Sequence, residues 1–213
     1  MNFDTFLKSI SKIEHIPLPG EDSQVKMSPT YRMELVEKQR ELMKTARKAG
    51  VMALFYPDTE RHTKLILILR KTYSGVHSAQ VGFPGGKLEV EDPSLEYAAL
   101  RETFEEVGVP IQNITVLKAM TSVYVPPSNF MVYPFFGITR HTPQFLKQDD
   151  EVEDLIEVAL ADFLNDANVS SQMLMTTLQK EVEVPVFKLN GHTVWGATAM
   201  MLSEIKDLLN KVI

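Results

Sequence analysis

Glu102, Glu105 and Glu106 stand at i, i+3 and i+4. In a helix that spacing sets three carboxylates on one face. Like charges so placed repel, by roughly 0.2–0.5 kcal/mol per pair in an isolated helix. One reading is an ordinary solvated acidic face. The other is a divalent-cation site, because Mg²⁺ takes hard oxygen ligands and is usually held by carboxylates together with substrate phosphates. Gly85-Gly86, just upstream, weighs toward the second reading. Paired glycines let the backbone turn sharply and let a carbonyl or N–H come close to a metal or phosphate.

Several elements must position these groups. The helix is predicted to open at Asp92-Pro93, an N-cap followed by proline at the first helical position, and to close at Gly108. Leu100, Phe104 and Val107 make its expected buried stripe. A glycine turn at Gly85-Gly86-Lys87 and a short acidic loop lead into it. Val51 to Tyr56 and Leu65 to Leu69 are apolar runs flanking a polar turn, which predicts a hairpin of strands. Beyond the helix, strands are expected at 114–117, 121–125 and 130–138, the last apolar on both faces. Val182 to Leu189 and His192 to Trp195 flank Asn190-Gly191, a strong hairpin turn. Leu202, Ile205, Leu209 and Val212 mark a final helix. Strands flanking a helix, with no repeating βαβ rhythm, predict an α/β protein with a mixed sheet between helices. At the N-terminus, Phe3, Phe6, Leu7 and Ile10 predict a short helix, and 15–29 reads as loop. Ser28-Pro29 opens a helix to about Ala49 with Leu35, Val36, Leu42, Met43 and Ala46 inward, unless a strand already begins at Arg47. The division expected is a helical extension over 1–50 packed on a domain over 51–213.

The segment Arg101-Glu102-Thr103-Phe104-Glu105-Glu106-Val107-Gly108-Val109 resembles the Nudix box, Arg-Glu-U-x-Glu-Glu-x-Gly-U with U apolar. Thr103 replaces the first U, the spacing from Gly86 to Arg101 is one residue longer than usual, and Asp92-Pro93 stand near the place of the box's early Glu. Arg70 and Phe83-Pro84-Gly85-Gly86 are similar to the additional signature of the coenzyme A pyrophosphatase branch, in which the longer box also occurs. Gly75 stands where that signature has a second Arg. Val184-Pro185-Val186-Phe187 and Trp195-Gly196-Ala197-Thr198-Ala199 also match this branch.

The resemblance implies a Nudix-type α/β/α sandwich and metal-dependent hydrolysis of a nucleoside diphosphate-linked compound. The implied substrate is coenzyme A or acyl-CoA, cleaved to phosphopantetheine (or its acyl form) and adenosine 3′,5′-bisphosphate. Other Nudix substrates such as ADP-ribose, a dinucleotide or a nucleoside triphosphate remain open, as does a non-catalytic nucleotide sensor. Retention of the three box carboxylates argues against the sensor. The implied ligands of Mg²⁺ or Mn²⁺ are Glu102, Glu105, Glu106 and the Gly86 carbonyl, with one carboxylate from the run 148–154, Glu151 ahead of Glu153. Glu102 is a ligand or the general base. Arg101 braces the carboxylates, with Asp92 or Glu105 as its partner, so Glu102, Arg101 and Glu105 form the catalytic group. Arg70, His77, Phe83, Tyr124, Ser128 and Asn129 are the substrate-binding candidates. Trp195 is expected in the core rather than as a stacking platform.

Composition narrows the class. Of 213 residues, 44% are hydrophobic and 23% charged, as in globular proteins. A net charge of −6 with no basic patch disfavours a nucleic-acid surface. No apolar run approaches the roughly 18 residues of a membrane span. The first residues do not read as a secretory signal and the last do not read as a peroxisomal address. Zero cysteines exclude disulfides and thiolate chemistry. A small-molecule nucleotide partner, no nucleic acid, no membrane and a cytoplasmic location are expected, with the first 50 residues offering a homodimer surface.

Overall fold

A computed structural model describes residues 1–71, 80–175 and 181–213. In chain order these form α1 (Phe3–Ser9), α2 (Glu21–Val25), α3 (Arg32–Lys38), α4 (Arg40–Met43), β1 (Arg47–Pro57), β2 (Thr63–Arg70), β3 (Val81–Gly82), β4 (Gly85–Lys87) and α5 (Leu95–Val107). They continue as β5 (Ile114–Ala119), β6 (Val123–Val125), β7 (Phe130–Thr139), β8 (Val152–Ala159), α6 (Leu160–Leu164), β9 (Val169–Met175), β10 (Glu181–Leu189), β11 (His192–Val194) and α7 (Gly196–Leu209).

The eight strands from β1 to β8 make one mixed sheet among the described residues, and β9, β10 and β11 make a second. The β1–β7 pairing is parallel, while β2 and β4 pair antiparallel to β1. Side chains alternate across a strand, and β1 shows what that does here. Val51, Ala53 and Phe55 enter a core with Phe3, Phe6 and the inner face of α7; Met52, Leu54 and Tyr56 enter another with Ala99 and Val107 of α5. Both faces of β1 are therefore covered, which is why its sequence is almost wholly apolar. The arrangement is the expected α/β class with a mixed sheet between helices. Asn190 and Gly191 both have positive φ, 46° and 80°, as the two-residue hairpin turn requires. No helix among the described residues is long and apolar enough to cross a membrane.

Several expectations need correction. Gly85-Gly86-Lys87 is not a turn but strand β4, whose Gly85 and Gly86 lie opposite Val51 and Gly50. Helix α5 is capped by Ser94, whose side chain accepts from the Tyr97 N–H at 3.0 Å, because the Asp92 carboxylate is taken by Arg101. Phe104 does not join a buried stripe: it is 49% exposed. The buried face of α5 is instead Ala98, Ala99, Thr103, Glu106 and Val107. That face sits close on the sheet, and glycine is needed opposite it at position 50, where a Cβ would lie 2.2 Å from the Leu95 carbonyl oxygen. The long helix expected after Pro29 is two short ones, with no buried residue, and the chain turns to strand at Arg47. Leu42 and Met43 are exposed rather than inward. The 15–29 stretch carries helix α2.

Candidate active site

Helix α5 and strand β4 bring the box residues together. Glu106 is 1% exposed. Its Oε2 accepts the Gly85 N–H at 2.7 Å, and its Oε1 lies 3.0 Å from Arg70 Nη1. Oε1 nevertheless has no hydrogen bond. Burial pushes the Glu106 carboxyl up to about 7, against the pull of Arg70 and the Gly85 N–H and with the charges of Glu102 and Glu151 adding to the push.

Glu102 lies directly beside Gly86. A Cβ at Gly86 would sit 2.3 Å from the Glu102 carboxyl carbon, so only glycine leaves room for that side chain. Burial raises the Glu102 carboxyl above its ordinary range, Arg101 opposes the rise, and Glu105 and Glu151 reinforce it. Arg101 is the brace. Its Nε and Nη2 donate to the two Asp92 oxygens at 2.9 and 2.8 Å, and its Nη1 donates to Glu102 and Glu105, each at 2.9 Å. The hydrogen bonds from Arg101 hold the Asp92 carboxyl below its usual value. Both partners named for Arg101 in the sequence thus contact it. Glu105 is the outermost carboxylate, with a half-exposed side chain.

These oxygens fit a hard divalent cation. The buried Glu106 Oε1 has no hydrogen bond, Glu102 presses against a residue without a side chain, and Glu151 bears electrostatically on both. Among the described residues no three His, Asp or Glu side chains close into a ready-made cage. Mg²⁺ is usually held by one or two carboxylates, with waters and substrate phosphates completing its shell.

A cavity of about 290 Å³ adjoins this cluster. Arg70, Phe83, Gly85, Gly86 and Lys87 line its end nearest the carboxylates. Arg70 reaches it with a guanidinium already engaged by Glu106 and by the Gly85 carbonyl at 2.6 Å. Tyr124, Ser128 and Asn129 do not line the cavity; their neighbours Val125, Pro126, Pro127 and Phe130 do. The Tyr124 hydroxyl turns toward the Gln39 and Asn129 side chains at 3.1 and 3.0 Å, and Asn129 holds a left-handed turn at φ 50°. Trp195, expected in the core, is only partly buried and lines the cavity. His77 lies outside the described residues. Sequence reasoning missed Lys87 and the wall from Pro29 to Leu35, which meets the site only through the tertiary fold.

The NUDIX domain matches residues 46–176. The chain belongs to the Nudix family. Among curated Nudix relatives it is 32% identical over 161 residues to the mitochondrial coenzyme A diphosphatase NUDT8 of Homo sapiens, covering 75% of this chain and 64% of that protein. It is 28% identical over 155 residues to the peroxisomal coenzyme A diphosphatase ndx-8 of Caenorhabditis elegans, covering 72% of this chain and 64% of that one. The chain thus spans just under two thirds of each of these relatives. In three dimensions it resembles the Nudix hydrolase RenU of M. smegmatis, with a TM-score of 0.53 and 14% identity over 79% of this chain and 88% of that one. That likeness is one of fold.

Proposed function

We propose that this Nudix chain is a divalent-cation-dependent pyrophosphohydrolase acting on coenzyme A or acyl-CoA, giving phosphopantetheine (or its acyl form) and adenosine 3′,5′-bisphosphate. The observation that carries the hydrolase reading is the carboxylate cluster of Glu102, Glu105 and Glu106, in which Arg101 braces Glu102 and Glu105, Glu102 lies against Gly86 and Arg70 pairs with Glu106. The substrate rests on the two relatives, each named as a coenzyme A diphosphatase.

Glu102, Glu105 and Glu106, with the Gly86 carbonyl and Glu151, supply the oxygens that would hold Mg²⁺ or Mn²⁺. When bound, such an ion neutralises diphosphate charge, polarises phosphorus and lowers the pKa of water. Arg101 is held by Asp92 on one edge and orients Glu102 and Glu105 with the other. Glu102 spends Oε1 on Arg101 and keeps Oε2 for the cation or for the proton of the attacking water. Arg70 orients Glu106 and the Gly85 carbonyl at the cavity mouth. Phe83, 2% exposed, shapes the adjoining wall. His77, Tyr124, Ser128 and Asn129 remain proposed substrate contacts on the resemblance alone.

The test is incubation of the purified protein with coenzyme A and Mn²⁺ or Mg²⁺, resolving products by mass. Adenosine 3′,5′-bisphosphate with phosphopantetheine is expected, and EDTA should abolish both. Cleavage of ADP-ribose or a dinucleotide in place of coenzyme A would keep the chemistry and change the substrate. Binding of any of these without cleavage would leave a sensor. Cytoplasmic residence and a homodimer are part of the proposal; cell fractionation decides the first, set against relatives named as mitochondrial and peroxisomal, and light scattering decides the second.

A further inference from the structure

The cavity beside the carboxylates has a wall from outside the family-matched region 46–176: Tyr31 and Arg32, at the start of α3. Much of the remaining lining is apolar, with Val51, Phe83, Phe130 and Met201 among it. At about 290 Å³ the space stands at the low end of ligand sites, which run from roughly 300 to 1,000 Å³, so it takes one arm of a substrate rather than the whole.

The polar residues of the lining fall into two sets. One belongs to the carboxylate end and the strands beside it. Lys87 follows Gly86 on β4, and Arg70 serves Glu106 and the Gly85 carbonyl. The Gln80 carbonyl accepts the Arg70 backbone N–H at 3.0 Å, and Thr198 donates to the Val81 carbonyl at 3.0 Å. The other set is Tyr31 and Arg32. Lys38, Arg40 and Lys44, which follow in the same stretch, each pair with a glutamate. Arg32 does not. It is half-buried, and its Nη2 donates to the Tyr124 carbonyl. Among the described residues its Nε and Nη1 meet no acceptor, and the Tyr31 hydroxyl makes no hydrogen bond. A guanidinium carries five N–H donors, and donors left unmet away from water cost free energy.

Strand pairing gives the distance from Arg32 to the carboxylate end. Gly86 lies opposite Gly50, while Tyr124 lies opposite Met131, which is level with Lys48. Three strand spacings of about 4.8 Å and an offset of two residues, from Gly50 to Lys48, put Tyr124 roughly 16 Å from Gly86. An extended chain reaches about 3.5 Å for every three atoms. The first amide oxygen of a pantetheine arm, six bonds from phosphorus, therefore reaches roughly 7 Å, as does a ribose 3′-phosphate. The second amide oxygen, ten bonds out, reaches roughly 12 Å, and a hydrogen bond of about 3 Å closes most of the rest.

We propose that Arg32 is a specificity-determining residue, whose uncommitted N–H groups donate to the second amide carbonyl of a pantetheine arm laid through the cavity. The cavity shares Arg70, Gly85 and Gly86 with the carboxylate site, so an arm seated in it is continuous with a phosphate there. The inference rests on the coenzyme A reading proposed above and adds to it a residue from outside the family-matched region.

Trp195 is the single tryptophan of the chain and lines this cavity, so its emission reports what enters. With Mg²⁺ present, the protein is titrated with phosphopantetheine, with an analogue whose second amide is replaced by methylenes, and with adenosine 3′,5′-bisphosphate. The Kd for phosphopantetheine should be about ten-fold or more below that of the analogue, the scale of one hydrogen bond to a charged group. Arg32→Met should bring the two within about two-fold by weakening phosphopantetheine alone. In turnover, Arg32→Met should lower kcat/KM for coenzyme A by about the same factor and spare the coenzyme A analogue with the methylene arm. Equal Kd values in the wild-type protein overturn the assignment without recourse to a variant. Equal losses for both compounds in Arg32→Met also overturn it, since Arg32 would then act only through the Tyr124 carbonyl. An Arg32-dependent response to adenosine 3′,5′-bisphosphate overturns it by placing the nucleotide in the cavity. Arg32-dependent preference for phosphopantetheine with no cleavage of coenzyme A sinks the proposed hydrolysis and supports the arm site. Cleavage of coenzyme A that Arg32→Met leaves unaltered keeps the hydrolysis and overturns the role of Arg32.

Discussion

Glu106 carries a carboxylate in a place that stability alone would not choose. It is almost wholly buried, close to Glu102, and its charge is offset by Arg70 and one N–H. Glu106→Gln keeps an oxygen for the Gly85 N–H and removes the anionic oxygen. Turnover with saturating Mn²⁺ should fall by more than the roughly 10–100-fold that residues supporting a metal ligand usually cost. The far-ultraviolet circular dichroism should stay that of wild type. Turnover within a few-fold of wild type would remove the metal-site reading.

Asp92 does different work. Its folded carboxyl is held below the ordinary 3.8 by Arg101, so its contribution to stability is full above that value and is lost as pH falls through the folded value. Asp92→Asn should cost about 1.5–3 kcal/mol at pH 7, the range for hydrogen bonds to charged groups. The gap in thermal midpoint between the two proteins, measured in EDTA, should shrink below about pH 4. A gap as wide at pH 2.5 as at pH 7 would show that the ion pair is not its source. The grouping of Glu102, Glu105 and Glu106 was legible in the sequence because carboxylate spacing on a helix is local. Their partners were less so. Asp92 read equally well as a helix cap, and only the reach of Arg101 back across the loop decides its role.

At the scale of elements, β4 is a spacer between β1 and α5, and its glycines do different jobs from Gly50. A Cβ on Gly86 meets the Glu102 carboxyl, the mobile end of a side chain, whereas a Cβ on Gly50 meets the Leu95 carbonyl at 2.2 Å and the Ala99 N at 3.0 Å. Gly86→Ala should therefore displace Glu102 and cut turnover sharply while shifting the melting temperature little. Gly50→Ala should force α5 away from the sheet and lower the melting temperature by several degrees. Equal melting temperatures for the two variants would contradict this account of α5 packing. The glycine pair was visible in the sequence, yet as a turn. It is a strand because Gly85 and Gly86 pair with β1, a long-range contact with no local signature. Phe104 was misplaced for the same reason: helical periodicity gives a face, but Gly50 and the sheet decide which face is inside.

At the scale of the whole molecule, the N-terminal residues bear on what the chain counts as a domain. The sequence suggested an extension over 1–50, and the family match begins only at residue 46. Yet Phe3 and Phe6 are fully buried, in the same core as Phe55, Phe136 and α7. Phe6 lies 5.4 Å from Phe55, which stacks on Phe136 at 4.8 Å. The backbone joins as well: the Phe3 N–H donates to the Arg61 carbonyl at 2.7 Å, and the Thr63 N–H to the Met1 carbonyl at 2.9 Å. Further along, Glu204 of α7 accepts hydrogen bonds from Gly20, Gln24 and Thr121, tying the α2 segment to the final helix. If residues 1–16 are part of the core, Phe6→Ala should cost roughly 3–5 kcal/mol, the range for emptying a buried phenylalanine site. For a chain of this size that lowers the thermal midpoint by roughly 10 °C. Calorimetry of the variant chain would show one transition moved as a whole. A second, earlier transition with the main one unmoved would instead describe an extension that packs on the domain but melts by itself.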